Sequence, residues 1–368
     1  MADVITEEPV ELQLERYRTE LTGYCYRMLG SVFEAEDAVQ ETMVRAWRGH
    51  QGFEGRAALR SWLYRIATNV CLDALNGRNG RARPMDLAGP VTVATAHDTR
   101  LPEVTWIGPA PDGRVLPETG DPAEVAAQRE SVKLAFVAVL QRLAPRQRAV
   151  LILREVLGWK AAEVAELLGT TVASVNSALQ RARAVLAADT SAARPAPELD
   201  EDQRALLDGY VRAFEAYDMD GLAALLHEDV TLNMPPFSMW LRGWDELREW
   251  MLGPGHGCRG SRLLPVTANG GPAFGQYRPS PAGGYEPWAL IVPEVSEGRL
   301  TGFTNFLDTD VLFPLFGLSP RLEGEPVGEP DAEPAEPVEP AEPVEPAEPA
   351  ETVELVEPAV VTADSVAE

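Results

Sequence analysis

Three groups of polar side chains lie at helical spacing. Ser61, Arg65, Asn69, Asp73 and Asn76 are separated by four, four, four and three residues, so one helix face carries all five, with Arg60 at its start. Thr171, Asn176, Ser177, Gln180 and Arg181 face away from an apolar stripe of Val175, Leu179, Ala182 and Leu186. Asp37, Gln40, Glu41 and Arg45 oppose Ala35, Ala38, Val39, Met43 and Trp47. Amides, hydroxyls and guanidiniums of this kind hydrogen-bond and pair charges. The chain has no P-loop, GxGxxG, HExxH or nucleophile elbow.

The elements that must carry these faces read clearly. Leu12–Leu29 is expected as one helix, broken by Gly30-Ser31. Ser31 precedes Glu34 at capping-box spacing and opens a helix running to about Trp47. A third helix runs from about Ala58 to Leu75. Val125–Leu143 reads as a single helix. Pro145 starts the next, where its missing N–H costs nothing. Lys160–Leu168 and Val172–Leu186, joined through Gly169-Thr170-Thr171, form a helix-turn-helix. Residues 141–188 hold seven basic residues against three acids, a local excess of +4. Helices at Glu201–Tyr217, Asp220–His227 and Trp244–Leu252 then alternate with strands at Val230–Met234, Ser261–Thr267, Ala273–Arg278, Trp288–Val295 and Leu300–Leu307. Helices followed by a run of strands predict an α+β cone.

Composition bounds the rest. The 368 residues carry a net charge of −25, and 45% are apolar, which suits two or three soluble globular domains. Fifteen acids and one base fall between Arg321 and Glu368, so much of the negative charge is terminal. No apolar run approaches the ~18 residues of a membrane span. The N-terminus lacks a signal pattern. Cys25, Cys71 and Cys258 are few and scattered, which argues against a disulfide framework or zinc site. A reducing, cytoplasmic setting is expected. The predicted organisation is a helical module at 10–84, a Pro/Gly-rich linker at 85–122, a helix-turn-helix module at 123–188, the α+β domain at 199–318 and a low-complexity tail at 321–368. Glutamate recurs every third residue from Glu333 to Glu357, the repeat of a polyproline II rod. Such a tail reads as a solvated spacer, or as an acidic competitor for a basic surface.

Tyr24-Cys-Tyr-Arg-Met-Leu-Gly, Glu36-Asp-Ala-Val-Gln-Glu-Thr and the Arg60–Asp73 segment resemble the promoter-melting domain of bacterial extracytoplasmic-function sigma factors. Pro145-Arg-Gln-Arg-Ala-Val-Leu, Ala162-Glu-Val-Ala-Glu-Leu-Leu-Gly and Val175–Arg183 are similar to that family's −35-binding domain. The third module resembles a SnoaL-like (NTF2-like) fold, as in the sigma-G-like group. The resemblance spans about residues 10–318 and implies two all-α sigma domains plus an α+β cone. It implies that Asp37, Gln40, Glu41 and Arg45 meet the β′ clamp helices of core RNA polymerase. Arg60, Arg65, Asn69 and Asp73 would touch the −10 promoter element, where captured bases offset the cost of unpairing. Trp62 could stack there or pack in the core, and Arg78, Arg81 and Arg83 would extend the basic surface.

Thr171, Asn176, Ser177, Gln180 and Arg181 would read the −35 element. Asn and Gln can pair with adenine, and Arg with guanine or phosphate. Asn176 and Ala178 stand where commoner relatives often carry basic residues, so grip would shift toward Arg146, Arg148, Lys160 and Arg183. The Trp106–Arg114 stretch resembles a linker motif of the group. In the SnoaL-like region Tyr210, Trp240 and Trp288 are candidate pocket residues, and His227, Glu228, Asp229 and Asp308 are the groups able to act as a base. That domain is expected to regulate activity in cis. An anti-sigma factor or a small-molecule ligand is a further conceivable partner. No cofactor is expected. The competing reading is a cyclase- or isomerase-like enzyme domain fused to a DNA-binding module.

Overall fold

The computed structural model describes residues 9–50, 58–96, 99–117, 121–188 and 201–324. The tail reading from residue 325 onward and the boundary proposed from Ala193 lie outside the described residues.

The first module comprises α1 (Val10–Glu15), α2 (Arg18–Leu29), α3 (Val32–Gly49) and α4 (Leu59–Ala74). The single helix expected over Leu12–Leu29 is interrupted at Arg16-Tyr17. Gly30 ends α2 at φ 75°, a left-handed conformation that suits glycine. Ser31 then caps α3, its Oγ accepting from the Glu34 N–H at 3.4 Å, an interaction worth ~1 kcal/mol.

The segment between the helical modules contains α5 (Pro84–Leu87), two 3₁₀ turns and α6 (Asp112–Val115). It is docked, not strung. Trp106, Ile107, Ala110, Val115 and Leu116 are buried. The backbone of Ala82 pairs with Thr105 and Ile107, and Gly108 N–H donates to Gly30. The Tyr26 hydroxyl donates to the Gly108 carbonyl at 2.8 Å.

The next module holds α7 (Pro122–Glu130), α8 (Leu134–Gln141), α9 (Pro145–Leu151) with a wider π turn to Val156, α10 (Ala161–Leu167) and α11 (Val172–Ala188). The helix expected over Val125–Leu143 is therefore two helices.

The third module has α12 (Glu201–Glu215), α13 (Met219–Leu225), β1 (Leu226–Asn233), β2 (Trp240–Arg242), α14 (Trp244–Leu252), β3 (Arg262–Ala268), β4 (Gly271–Pro279), β5 (Tyr285–Ser296), β6 (Arg299–Phe306) and α15 (Thr309–Leu315). The six strands form one sheet in the order β2-β1-β6-β5-β4-β3, antiparallel except between β1 and β6. Strand β1 begins earlier than expected, so His227, Glu228 and Asp229 lie on it and not at a helix end.

Strand alternation divides the sheet into two apolar faces. Leu232, Phe274, Ile291 and Phe303 pack with α12 inside the cone. Ala273, Leu290, Val292 and Phe306 turn outward and join the core shared by the helical modules. That shared core also unites Leu21, Leu29 and Leu63 with Val137, Leu140 and Leu153. The two sigma-like modules are thus packed together, where the sequence reading had a proline-broken tether between separate bodies.

Candidate nucleic-acid interface

Helix α3 presents Asp37, Gln40, Glu41 and Arg45 on its exposed side, while Ala35, Ala38, Val39 and Met43 face the core. Arg45 Nε donates to Glu41 at 2.7 Å, and its guanidinium lies 4.0 Å from Asp73 on α4. The face is an alternation of charges that a partner helix could match.

Helix α4 is divided. Asn69 and Asp73 in its second half are exposed. The arginines in its first half are engaged. Arg60 donates two hydrogen bonds to Glu20, which also accepts from the Tyr64 hydroxyl at 2.8 Å. The Arg60 guanidinium lies over the Tyr64 and Trp159 rings at 5.5 and 5.6 Å. Trp159 belongs to the loop before α10, and its ring sits 5.0 Å from that of Tyr64. Arg65 reaches Glu166 of α10 at 3.5 Å. Burial, reinforced by the negative charge of Glu20, pushes the Tyr64 phenol well above its usual pKa, so it serves as a neutral donor. Trp62 packs, partly buried, against the shared core.

The helix-turn-helix is built as its sequence implies. Gly169 takes φ 60° in the turn. Thr171 Oγ1 accepts from Ser174 N–H at 3.1 Å and so caps α11. Val175, Leu179 and Ala182 are buried, and Asn176, Ser177, Gln180 and Arg181 are exposed on the other side. Arg183 pairs with Glu155 at 2.6 Å.

Three arginines expected at the surface are inside. Arg148 is 2% exposed and donates to the carbonyls of Met28, Gln141 and Leu143 and to Gln141 Oε1. Burial lowers its pKa to about 10. Arg148 therefore staples α8 and α9 to the end of α2 and cannot grip phosphate here. Arg81 and Arg83 are likewise buried, Arg81 bonded to Glu34, Glu103 and Trp106, and Arg83 to Asp86. Carbonyls and carboxylates supplied by distant segments make those burials tolerable.

Tyr210, Trp240 and Trp288 do not converge on one pocket. Tyr210 is 3% exposed and packs on Phe214, Phe274 and Phe303. Trp240 donates its indole N–H to the Ala88 carbonyl at 2.8 Å. Trp288 carries the Arg278 guanidinium 3.4 Å above its ring. The aromatic side chains that were to line a cavity fill the cone or fasten the linker to it. Asp308 stands at the start of α15 and makes no side-chain capping bond. Its pKa is raised by burial, with Arg100 opposing.

Sequence reasoning missed a polar junction where the modules meet. Asn269, at φ 53°, and Gly270, at φ 78°, form the β3–β4 turn. Asn269 is 3% exposed. Its Nδ2 donates to Tyr26 Oη at 2.6 Å and to the Val132 carbonyl at 2.8 Å, and its Oδ1 accepts from Ala110 N–H at 3.1 Å. Asp112 accepts from Gly270 N–H at 2.7 Å, and burial raises its pKa to about 6 against the pull of that bond and of Arg129. Asn-Gly between two strands announces a hairpin turn. Nothing local announces what the turn will touch.

Comparison with known proteins accounts for all three modules. Residues 14–81 match Sigma-70 region 2, residues 133–186 match Sigma-70 region 4, and residues 207–302 match the SnoaL-like domain. The chain is 44% identical over 316 residues to the ECF RNA polymerase sigma factor SigG of Mycobacterium tuberculosis, covering 84% of this chain and 83% of that protein. It is 28% identical over 336 residues to SigJ of the same organism, covering 88% of this chain and 96% of that protein. The crystal structure of the Mycobacterium tuberculosis sigma factor SigJ superposes with a TM-score of 0.54 at 25% identity, covering 84% of this chain and 99% of that one. Region 2 helices, a region 4 helix-turn-helix and a SnoaL-like cone in this order place the chain in the extracytoplasmic-function sigma-factor family, as a member with a fused C-terminal SnoaL-like domain.

Proposed function

We propose that this sigma factor binds core RNA polymerase through the α3 face, captures the −10 element with α4 and reads the −35 element with α11. The described arrangement is its closed state. One observation carries this reading: the Tyr64 and Trp159 rings, one in each sigma module, are 5.0 Å apart. The two promoter elements are about two duplex turns apart, or roughly 70 Å from a turn of ~34–36 Å. Both modules cannot occupy their elements while Tyr64 and Trp159 touch, so initiation requires them to part. The SnoaL-like domain holds them together in cis, because its outer sheet face and its Asn269–Gly270 turn contact both modules and the linker.

The SnoaL-like domain acts as a scaffold and regulator, not as an enzyme. Its aromatic cone is filled, and His227, Glu228 and Asp229 lie in the half-buried to exposed first part of β1. Among the described residues no helix is long and apolar enough to cross a membrane, and we assign the chain to the cytoplasm with its polymerase. The test is run-off transcription with purified core polymerase, with and without the full chain. Promoter-specific transcripts that appear only with the chain are expected. Their absence from every genomic fragment, together with no association with core enzyme, would overturn the assignment.

A further inference from the structure

The gap between α7 and α8 has one weak local contributor, the Ser131 hydroxyl, which donates back to the Gln128 carbonyl at 2.6 Å. Glu130-Ser131-Val132-Lys133-Leu134 contains neither proline nor glycine, and the apolar spacing continues through it. Helix breaks usually need such residues or an inserted group. Here Ser131, at φ −76° and ψ −7°, stays in the helical region, and Lys133, at φ −55° and ψ 141°, departs from it.

Groups from two other modules are inserted at this point. A continuous helix would give the Gln128 carbonyl to the Val132 amide and the Val132 carbonyl to the Phe136 amide. Instead Arg27 of α2 donates to the Gln128 carbonyl at 3.2 Å and to Ser131 Oγ at 2.9 Å. Asn269 of the cone donates to the Val132 carbonyl at 2.8 Å. The Val132 amide turns to Arg129 instead. Gly270 rests so closely on the Arg129 carbonyl that a Cβ there would lie 2.5 Å from its oxygen. Arg27 is 1% exposed, its side-chain acceptors among the described residues are the neutral Ser131 Oγ and Gln128 carbonyl, and its burial is tolerated only while these stay in place.

We propose that Ser131–Lys133 is a hinge held broken by Arg27 and Asn269, and that releasing them fuses α7 and α8 into one helix over residues 122–141. Because α8 is embedded in the region 4 core through Val137, Ala138 and Leu140 while α7 buries none of its residues, fusion takes away the acceptors by which Arg27 of region 2 and Asn269 of the cone hold region 4 at this point. The inference rests on reading the described state as closed. It adds what that reading lacks, a local element with two arrangements that domain docking biases.

The experiment uses the full chain, with core polymerase for transcription. Asn269→Ala removes the bond that occupies the Val132 carbonyl. Ala135→Pro sits in the first turn of α8, where no intrahelical donor is lost, but blocks a continuous helix. Lys133→Gly, which weakens the fused helix without a ring, is the second variant should the proline disturb folding. Expected are a several-fold rise in run-off transcription with Asn269→Ala and at least tenfold slower amide exchange at residues 134–136. Ala135→Pro should lower transcription at least tenfold, and Lys133→Gly a few-fold, with unchanged melting temperatures. If Asn269→Ala raises transcription while both hinge variants leave it unchanged, the modules part without fusion and the hinge proposal falls, though cis regulation stands. If residues 134–136 gain protection but transcription does not rise, fusion stands and the inhibitory reading falls. If Asn269→Ala changes neither, both fall.

Discussion

The two helices proposed to meet the promoter differ in how the closed state treats them. Helix α11 holds Asn176, Ser177, Gln180 and Arg181 exposed. Helix α4 leaves Asn69 and Asp73 open but commits Arg60 and Arg65 to Glu20, Glu166 and Trp159. On the proposed assignment, region 4 engages the arginines in the first half of the strand-capturing helix of region 2 and leaves its own duplex-reading helix free. Control then falls on opening DNA and not on finding it. Helix α3 is as open as α11, so on the same proposal polymerase engages before the modules part.

Four substitutions would break or sharpen this contrast. Trp159→Ala should have the largest effect. It removes a 6%-exposed indole from the seam, and truncations of that kind cost about 3–5 kcal/mol. Denaturant unfolding should show the loss, and binding of a −10 single strand should rise. Weaker single-strand binding would show that Trp159 does not cover α4. Arg181→Ala should weaken −35 duplex binding by about 1–3 kcal/mol. Because α11 is already free, the loss should be the same in an Asn269→Ala background; a background-dependent loss would mean that α11 is also masked.

Asp112→Asn acts through pH. The carboxyl has a pKa of about 6 when docked against an ordinary value near 3.8. The docked form therefore binds the proton more tightly, and docking strengthens as pH falls from about 6 toward 4. Above pH 6 the buried charge opposes docking by on the order of 3 kcal/mol. Asn keeps an oxygen for Gly270 N–H and removes the charge, so closure should tighten at pH 7 and lose its pH dependence in that window. Transcription measured across pH 5–8 checks this. Glu166→Gln should matter least. The Arg65 and Glu166 side chains are 43% and 74% exposed, and such pairs contribute about 0–1 kcal/mol. Single-strand binding should rise no more than a few-fold, most visibly at low salt.

Sequence reading served well where structure is decided locally. The Ser31 cap and the Gly169 turn follow from residues within a few positions of each other. Four of the six strands were delimited by Gly and Pro turns, while β2, three residues long, carries too little pattern to be seen. It failed where partners lie far apart along the chain. Arg81, Arg83 and Arg148 have the composition of a basic surface, yet carbonyls and carboxylates brought by tertiary packing draw them inside. The 85–122 segment reads as a Pro/Gly-rich linker because its prolines forbid long helices. They do not forbid docking, and Tyr26 and Asn269 supply its bonds. The α7–α8 break carries the same lesson in one turn of backbone: beside the local Ser131 hydroxyl, Arg27 and Asn269 from distant segments donate to the Gln128 and Val132 carbonyls there.

The linker also borders the sheet at both ends. Val91 N–H donates to Trp240 of β2 at 2.9 Å, and Asn269, just past β3, donates its backbone N–H to Ala110 at 2.9 Å beside a Pro111–Ala268 bridge. β2 and β3 are the outermost strands, so these contacts lie where a sheet has unpaired backbone to offer. A cone cut free at its apparent domain border would carry two bare margins and a naked apolar outer face. It should self-associate and precipitate, and a fragment that keeps residues 88–112 should do so less, because its margins are covered although its outer face is not. Anyone dissecting this chain must treat that stretch as part of the cone's own edge.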